Sequence, residues 1–332
     1  MMEFLRRREL LRTVQATAIG LALAAASTGA EAQTYLRIGG GIGGSSWEIT
    51  AGKLADMFSK AGDDVQAIAQ PGNMGENLAR LKRGEAELGL TYGITFRDVV
   101  TGTGAFGEHQ NPKLRLLAAL YPAYEQPLVP KDVPWATVRD LAADPENAAI
   151  AALTPGSATY TLANAMLEAA GSGLEKIEEE GGLVLPLNYS QGLDGMRSGQ
   201  VNVIMINGPN AHPSVLEYEE QGKLLMLDDE LIARITELVP GTAAATMSPD
   251  AYSFLDEPYK TFAVYTTVVI SADVPDDVVY EITKYFWENI DEFRNVASYA
   301  AATDISTATV GSAELEIHPG ALRYYQEVGV AD

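Results

Sequence analysis

Short strand-like and helix-like segments alternate along the chain beyond residue 33, and this alternation constrains the fold more than any other feature. Predicted strands lie at 35–38, 65–69, 87–91, 114–120, 148–153, 184–187, 201–206 and 262–270. Predicted helices lie at 48–60, 75–83, 158–170, 228–238, 276–289 and 321–328. Strands that alternate with helices across short loops predict an α/β architecture with mainly parallel sheets.

One segment interrupts the alternation. Residues 122–134 hold four prolines, and proline cannot donate a backbone hydrogen bond to a sheet. The segment fits a crossing between two lobes, and a surface loop is the alternative interpretation.

The N-terminus has the pattern of an export signal. Arginines at 6–8 and 12 precede a moderately apolar stretch at 13–26, and Ala30-Glu31-Ala32 is a small-x-small cleavage pattern. The stretch is short against the ~20 residues of a membrane span, which favours a signal cleaved after Ala32 over an anchor. Arg7 and Arg8 resemble the pair of a twin-arginine (Tat) signal, although Arg6 stands where Ser or Thr is usual. Tat export is therefore favoured over Sec.

Composition excludes several classes of function. The chain has no cysteine, so it has no disulfide, no thiolate nucleophile, no thiolate metal site and no lipidated cysteine. Its net charge of −22 repels nucleic acid and anionic lipid. We expect a monomer without cofactor or metal, without a nucleic-acid partner and without stable membrane insertion.

Two glycine-rich loops lead from a predicted strand into a predicted helix, at 39–47 and at 154–159. Glycine lets a ligand approach the backbone, hydroxyls add donors, and the free N–H groups of a helix's first turn favour an anion. Gly39, Gly41 and Gly44 have the spacing of a dinucleotide fingerprint. However, Asp63 and Asp64 precede the second strand instead of following it, which argues against a nucleotide cofactor.

Polar residues also recur where other predicted strands end. For each one, a role in a cap or turn is the simpler interpretation, but together they predict a polar pocket at the carboxyl edge of the sheets. They are Asn73, Asn77, Tyr92, Tyr121, Tyr189 and the 207–210 segment.

A catalytic constellation is hard to assemble from this sequence. His109, His212 and His318 are not paired at metal-ligand spacing, and a lone histidine is usually structural or exposed. There is no Gly-x-Ser-x-Gly nucleophile elbow. We therefore expect a binding protein and not an enzyme.

Several motifs in order resemble the TAXI family, the solute-binding proteins of TRAP transporters. The resemblance covers essentially the whole chain after the signal. It rests on Gly72-Asn73-Met74-Gly75-Glu76-Asn77-Leu78, on the 81–89 segment, on Thr154-Pro155-Gly156-Ser157, on Gly208-Pro209-Asn210, on the 275–283 segment and on the 318–325 segment.

This resemblance implies a two-lobed periplasmic-binding-protein fold of type II, with a mainly parallel sheet in each lobe and the ligand between them. We place lobe I at 33–122 and 266–332 and lobe II at 123–265. Family members bind carboxylate-bearing solutes such as glutamate or 2-oxoglutarate and pass them to an ion-driven permease. Combined with the strand-end residues, the resemblance predicts a ligand site of Gly43, Gly44, Ser45, Ser46, Trp47, Asn73, Asn77, Tyr92, Tyr121, Thr154, Gly156, Ser157, Thr159, Tyr189, Asn207 and Pro209.

Two departures from the family's pattern fall near this site. Ile42 replaces a hydroxyl in the first loop, and the segment after Pro122 lacks the usual long apolar strand. They leave the ligand open within the carboxylate class. Arg97 is a candidate anchor for a carboxylate, and a surface position on a helix or turn is its simpler interpretation. A binding protein of an ABC transporter, a sensory binding protein and a periplasmic enzyme on the same scaffold stay open as alternatives.

Overall fold

A computed structural model describes residues 33–41, 45–155, 157–311 and 315–331. The predicted signal at 1–32 lies outside these residues. The strands are β1 (Thr34–Gly39), β2 (Val65–Gln70), β3 (Leu88–Tyr92), β4 (Leu114–Pro130), β5 (Ala149–Ala151), β6 (Leu183–Leu185), β7 (Val203–Gly208), β8 (Gly222–Leu224), β9 (Thr242–Met247) and β10 (Tyr259–Ser271).

Twelve α-helices lie in the part of the chain that the structure describes. They are α1 (Ser46–Phe58), α2 (Met74–Arg83), α3 (Phe96–Thr101), α4 (Val138–Ala142), α5 (Ala158–Ala169), α6 (Leu174–Glu179), α7 (Tyr189–Ser198), α8 (Pro213–Glu217), α9 (Asp229–Leu238), α10 (Asp276–Glu288), α11 (Ile290–Arg294) and α12 (Pro319–Glu327). Short 3₁₀ turns lie at Gly93–Thr95, Gly107–His109, Pro145–Asn147, Pro249–Ala251, Ser298–Ala302 and Ile305–Thr307.

The predicted α/β class is confirmed, and local signals explain where the main helices begin and end. Asn73 caps α2 by accepting the backbone N–H of Glu76 at 3.0 Å, and Gly84 ends the helix in the left-handed region. The same pairing recurs at α7, which Asn188 caps and Gly199 ends. These caps stabilise a helix end by about 1 kcal/mol each.

One continuous sheet runs through the molecule in the order β2-β1-β3-β10-β4-β7-β5-β6, with β8 beside β4 and β9 beside β10. Its two ends are parallel, β2-β1-β3 and β6-β5-β7. The centre is antiparallel, because β10 and β4 run against each other and against their neighbours. The expected parallel sheets therefore hold for the outer three strands at each end only.

Strand β4 corrects the interpretation of the proline-rich segment. It continues from Leu114 to Pro130 without a break. Residues 122–130 are therefore not a loop, and the long strand that the sequence analysis found lacking after Pro122 is present. Its second half pairs with β7, and Leu128 lies opposite Ile204. The prolines concealed the strand because proline in a central strand ordinarily argues against one.

Two hydrophobic cores lie on either side of one point in β4 and β10. One core contains buried residues between Ala123 and Val264. The other draws on residues up to Tyr121 and from Val268 onward, and a smaller cluster around Phe96 adjoins it. Because each core excludes the residues of the other, the two halves pack as separate bodies that share two strands.

An irregularity in the sheet marks the point where the shared strands pass from one core to the other. Tyr265 of β10 lies opposite Pro122, but Thr267 lies opposite Ala119, so the register shifts by one residue at Thr266. Such bulges bend a strand and increase its local twist. The shared strands are therefore bent where the two halves join. Within the described residues, no helix has both the length and the apolar character that crossing a membrane requires.

Candidate ligand-binding cleft

A cavity of about 210 Å³ lies at this junction, between the two halves of the molecule. One half contributes residues from α1, β3 and the Ser298–Ala302 turn, and the other contributes the end of β7 and the segment after it. The lining residues are Ser46, Tyr92, Tyr121, Pro122, Ala123, Asn207, Gly208, Pro209, His212, Thr266 and Tyr299. Five of the predicted site residues are thus brought together here: Ser46, Tyr92, Tyr121, Asn207 and Pro209.

On the side of the first half, the predicted site residue Trp47 packs against the lining residue Tyr92 without itself belonging to the lining. The rings of Trp47 and Tyr92 lie 5.0 Å apart at an angle of 59°. Trp47 Nε1 donates to the buried Thr266 hydroxyl at 3.2 Å. Tyr92 and the nearby Ile94 also pack against the core of the other half, so the two halves touch here. Burial raises the pKa of Tyr92, which keeps the phenol neutral.

A second aromatic pair completes this wall. The Tyr121 and Tyr299 rings lie 4.8 Å apart, and the Tyr121 and Thr50 hydroxyls share a hydrogen bond of 3.0 Å. Tyr299 OH donates to the backbone carbonyl of Ser46 at 3.0 Å, which links the Ser298–Ala302 turn to the start of α1. Burial raises the pKa of Tyr121 to about 12. This side of the cavity therefore presents neutral hydroxyls and aromatic faces.

A chain of hydrogen bonds supports the opposite wall. The hydroxyls of Thr159 and Tyr189 share a hydrogen bond of 3.1 Å, and Tyr189 OH lies 3.1 Å from the Asn207 carbonyl, to which it can donate. The Asn207 side chain donates to the Ala123 carbonyl at 3.1 Å. Thr159 and Tyr189 thereby support the lining residue Asn207 from behind.

His212 is a lining residue that sequence reasoning did not select. It is 8% exposed, and its ring meets the Tyr189 ring edge-on at 5.0 Å. Its Nδ1 accepts the backbone N–H of Ser214 at 3.2 Å, which caps α8. Burial lowers the pKa of His212 to about 4, so the imidazole is neutral at pH 7. In the sequence, nothing but the following Pro213 distinguishes His212, and a lone histidine is usually structural or exposed.

Buried polar side chains hold the backbone on which His212 lies. Tyr252 OH accepts the backbone N–H of His212 at 2.8 Å and donates to Gln126 Oε1. Gln126 Nε2 donates in turn to the Gly208 and Pro209 carbonyls, each at 3.2 Å. Gln126 belongs to β4, so this network ties the lip of the cavity to a strand that the two halves share.

Glu125 lies beside this network and is fully buried. It pairs with Asn207 in the register of β4 and β7, and neither of its carboxyl oxygens has a hydrogen-bond partner among the described residues. Burial raises the pKa of Glu125 well above its usual range, which favours the neutral acid. Glu125 is thus a neutral acid next to the lining residue Asn207, and it is not itself part of the lining.

Both glycine-rich loops lead into helices, as predicted. Ser45 caps α1 by accepting the Glu48 N–H at 3.2 Å, and Ser157 caps α5 by accepting the Tyr160 N–H at 3.2 Å. Three predicted site residues in these loops, Gly43, Gly44 and Gly156, lie outside the described residues. Neither Ser45 nor Ser157 belongs to the lining of the cavity.

Other predicted residues lie away from the cavity. Asn73 is an exposed cap and Thr154 an exposed loop residue. Asn77 is fully buried, and its amide group donates to the Gly40 and Leu90 carbonyls, each at 2.9 Å. Its position behind the first loop is that of a structural bridge. Arg97 is exposed on α3.

A larger hollow of about 580 Å³ lies on the outside of the second half, between α9, β9 and β10. Residues of one half alone line it, and several are alanine and threonine. Ligands of two-lobed proteins contact both lobes, so the smaller cavity is the better candidate. In the portion of the chain that the structure describes, no group of three or more His, Asp or Glu residues could hold a metal ion.

This architecture, two cores joined by shared strands with a cavity between them, is that of the two-lobed periplasmic solute-binding proteins. Three solved structures share it: a TctC solute-binding protein from Polaromonas (13% identity, 89% of this chain and 96% of that one, TM-score 0.54), the aliphatic sulphonate-binding protein SsuA from Escherichia coli (16%, 90% and 88%, 0.50) and MatC from Rhodopseudomonas palustris with bound malate (13%, 89% and 96%, 0.50). At such low sequence identity, the structural likeness shows a shared fold and no shared function. The predicted two-lobed fold is confirmed.

Residues 23–329 match the model of the NMT1-like family, and the chain belongs to that family.

Proposed function

We propose that this protein captures a small carboxylate-bearing solute between its lobes in the periplasm and delivers it to a membrane transporter. The observation that carries the proposal is the cavity at the junction of the shared strands, lined by residues of both halves. A ligand that contacts both lobes stabilises the arrangement in which they touch.

We propose lobe boundaries at 122/123 and 265/266. The division of the two cores supports them, because one core stops at Tyr121 and resumes at Val268, whereas the other spans Ala123 to Val264. The register shift at Thr266 lies at the second boundary.

The carboxylate class is the finer part of the proposal. MatC, which has the same fold, has been solved with malate, and SsuA is a sulphonate-binding protein, so the scaffold accommodates anions. The cavity's described lining has no acidic side chain, and its Tyr, Thr, Asn and His groups offer neutral donors. An oxyanion is held well by such donors, because they are already ordered by the surrounding network.

For the transporter, we propose a TRAP permease, on the resemblance to the TAXI family. We also propose Tat export with cleavage after Ala32. An ABC transporter or a sensory partner is the alternative; co-purification of the native protein with its membrane partner would distinguish them. An enzyme on this scaffold would convert the bound solute, which mass spectrometry of the solute after incubation would reveal.

A thermal-shift screen tests the solute-binding function. Residues 33–332 are unfolded, refolded to remove bound solute, and melted with malate, 2-oxoglutarate, L-glutamate, an alkanesulphonate, a sugar and an osmolyte. A solute at about 100 times its Kd adds about 2.7 kcal/mol to the free energy of unfolding. We expect a rise in Tm with carboxylates only.

Two matched variants locate the binding. Ser46→Trp places a bulky ring at the exposed lip of the cavity, and Ala244→Trp places the same ring in the outer hollow. The first should abolish the shift and the second should preserve it. A sugar-only response would contradict the carboxylate class, and loss of the shift in Ala244→Trp alone would move the site to the outer hollow.

A further inference from the structure

His212 and His318 form a pair of similar helix caps in different surroundings. Each precedes a proline at the start of a short helix, and each Nδ1 accepts the N–H two residues on, at 3.2 Å. His318 is fully buried in the first half. His212 has the same capping bond but lines the cavity. Capping therefore gives a structural role to Nδ1 of both histidines. Of the two, His212 alone also lines the cavity, where the rest of its ring can contact a ligand.

The capping bond determines which nitrogen of His212 carries the proton. A neutral imidazole has one N–H and one unprotonated nitrogen. Because Nδ1 accepts the Ser214 N–H, the proton is on Nε2. Burial lowers the pKa of His212 to about 4, which agrees with a neutral ring. His212 is consequently a donor at Nε2.

The surroundings fix the position of this donor. The ring lies against Gly208, where a side chain would overlap it, and edge-on to Tyr189. The backbone N–H is held by Tyr252, and the preceding Ala211 has a strained backbone with φ of 53°. Strained residues of this kind are retained mainly where the surrounding structure and function require them. No hydrogen bond of Nε2 is found among the described residues.

We propose that His212 recognises the solute through its Nε2–H, which donates to an oxygen of the solute's carboxylate. The inference rests on the proposed carboxylate-binding function and assigns one determinant of it. A neutral donor discriminates by geometry, so the cavity favours a solute that places an acceptor oxygen beside Gly208 and rejects one that places a methyl or a donor there.

Two substitutions separate the cap from the donor. In His212→Asn, the amide oxygen replaces Nδ1 and caps α8, since asparagine is a preferred cap, but no atom remains at Nε2. In His212→Gln, the side-chain nitrogen replaces Nε2 as the donor, and the cap is lost. His318→Asn is the matched control, because it changes the same kind of cap away from the cavity.

Calorimetric titrations with malate, 2-oxoglutarate and L-glutamate provide the test, with Tm recorded for each variant. We expect His212→Asn to retain the Tm within a few degrees and to bind the best of the three about 10-fold more weakly. His212→Gln should bind within about threefold of the unmodified protein, and His318→Asn should bind unchanged.

Equal affinities of His212→Asn and the unmodified protein would overturn the role of His212 and leave the proposed function intact. Equal losses in both His212 variants would overturn the donor assignment. If the unmodified protein bound none of the three acids, the carboxylate class and this inference would fail together. Nitrogen-15 shifts of the imidazole at pH 7 give a test that no variant can obscure, since protonation at Nδ1 would contradict the inference.

Discussion

The two lobes are built on the same plan, and they differ mainly where they face each other. Each contains a strand order in which the first strand lies between the second and the third, β2-β1-β3 and β6-β5-β7. In each, a ten-residue helix with an Asn cap and a C-terminal Gly precedes the third strand. Tyr92 is the last residue of β3 and Asn207 is the last but one of β7, and both line the cavity.

The fourth residue of these two helices shows the first difference. In α2 it is Asn77, whose amide connects the first loop to β3 through two hydrogen bonds. In α7 it is Gly192, whose position lets the helix lie close against Ile204 and Ala151. In lobe I a buried side chain therefore holds the first loop, whereas in lobe II the corresponding position lets the helix pack closely against side chains of β5 and β7.

The walls of the cavity show the second difference. Lobe I presents aromatic rings and hydroxyls that already have partners. Buried polar atoms without a partner occur in both lobes, at Asn77 and His318 in lobe I and at Glu125 in lobe II. The two non-glycine residues with positive φ among the described residues, Leu153 and Ala211, both belong to lobe II, and Ala211 directly precedes the lining residue His212. Because backbone strain gathers at functional sites, we expect the more specific contacts from lobe II.

The largest effect should come from removing the lobe I bridge. Asn77→Ala loses two buried hydrogen bonds and leaves the Gly40 and Leu90 carbonyls without this donor, so the free energy of unfolding should fall by about 3 kcal/mol. Gly192→Ala is the counterpart in lobe II. Alanine has the better helix propensity, which stabilises the protein, but its added methyl would lie 3.2–3.3 Å from Ile204 and Ala151, which is crowded. These two effects roughly offset each other, and we expect the free energy of unfolding to change by less than about 1 kcal/mol. Urea unfolding measures both; equal costs would contradict the comparison.

Glu125→Gln should stabilise the protein increasingly as the pH rises. The folded pKa is raised by burial, so the folded state keeps a proton that the unfolded carboxyl loses above its ordinary pKa of 4.5. The unmodified protein therefore loses up to about 1.4 kcal/mol per pH unit relative to the variant, from about pH 4.5 to the folded pKa. Unfolding measured from pH 4 to 8 tests this. A difference independent of pH would show that Glu125 is not a buried neutral acid.

The two serine caps provide a smaller test of the lobes. Ser45→Ala and Ser157→Ala should each lower the free energy of unfolding by about 1 kcal/mol, because each loses one cap hydrogen bond. Only Ser157→Ala should also weaken malate or 2-oxoglutarate binding, by about threefold, if lobe II supplies the contacts to an anion. Titration of both variants decides; unchanged binding in Ser157→Ala would contradict the predicted role of Ser157.

The smallest effect is expected from Arg97. It is exposed on α3 and does not line the cavity, so Arg97→Ala should change the free energy of unfolding by less than about 0.5 kcal/mol and carboxylate binding by less than twofold. A loss of tenfold or more would identify it as the anchor after all.

The order of elements could be predicted from the sequence because hydrophobic periodicity and caps are local signals. The lower half of β4 could not, since its strand character depends on pairing with β7, which overrides the prolines. Helix α7 was missed for a related reason. Gly192 and Gly195 lower its intrinsic helix propensity, and the close approach to Ile204 and Val201 that they permit is a tertiary feature.

The candidate site was predicted in part. Tyr92 and Asn207 could be found because they lie at the carboxyl ends of β3 and β7, and strand ends meet at one edge of a sheet. Tyr121 also lines the cavity, but the reason given for it was wrong, because it lies in the middle of β4 and not at its end. Thr266 and Tyr299 could not, because their place depends on the return of the chain through β10 and on the Ser298–Ala302 turn. Asn73 and Asn77 followed the same pattern as the lining residues, but a cap and a buried bridge satisfied them locally.

A contact beside the cavity has a consequence for how affinity can be set. Gly93 of lobe I meets Gly241 of lobe II backbone to backbone, and a methyl at Gly241, which has φ of 94°, would overlap Gly93. A side chain there would raise the free energy of the arrangement in which the lobes touch without altering any atom that lines the cavity. Apparent affinity is the intrinsic affinity multiplied by the fraction of molecules in which the lobes touch. Once that arrangement is the less populated one, each further 1.4 kcal/mol added to its free energy weakens solute binding about tenfold. Selection can therefore adjust solute capture to the supply of solute at a position that leaves the choice of solute unchanged.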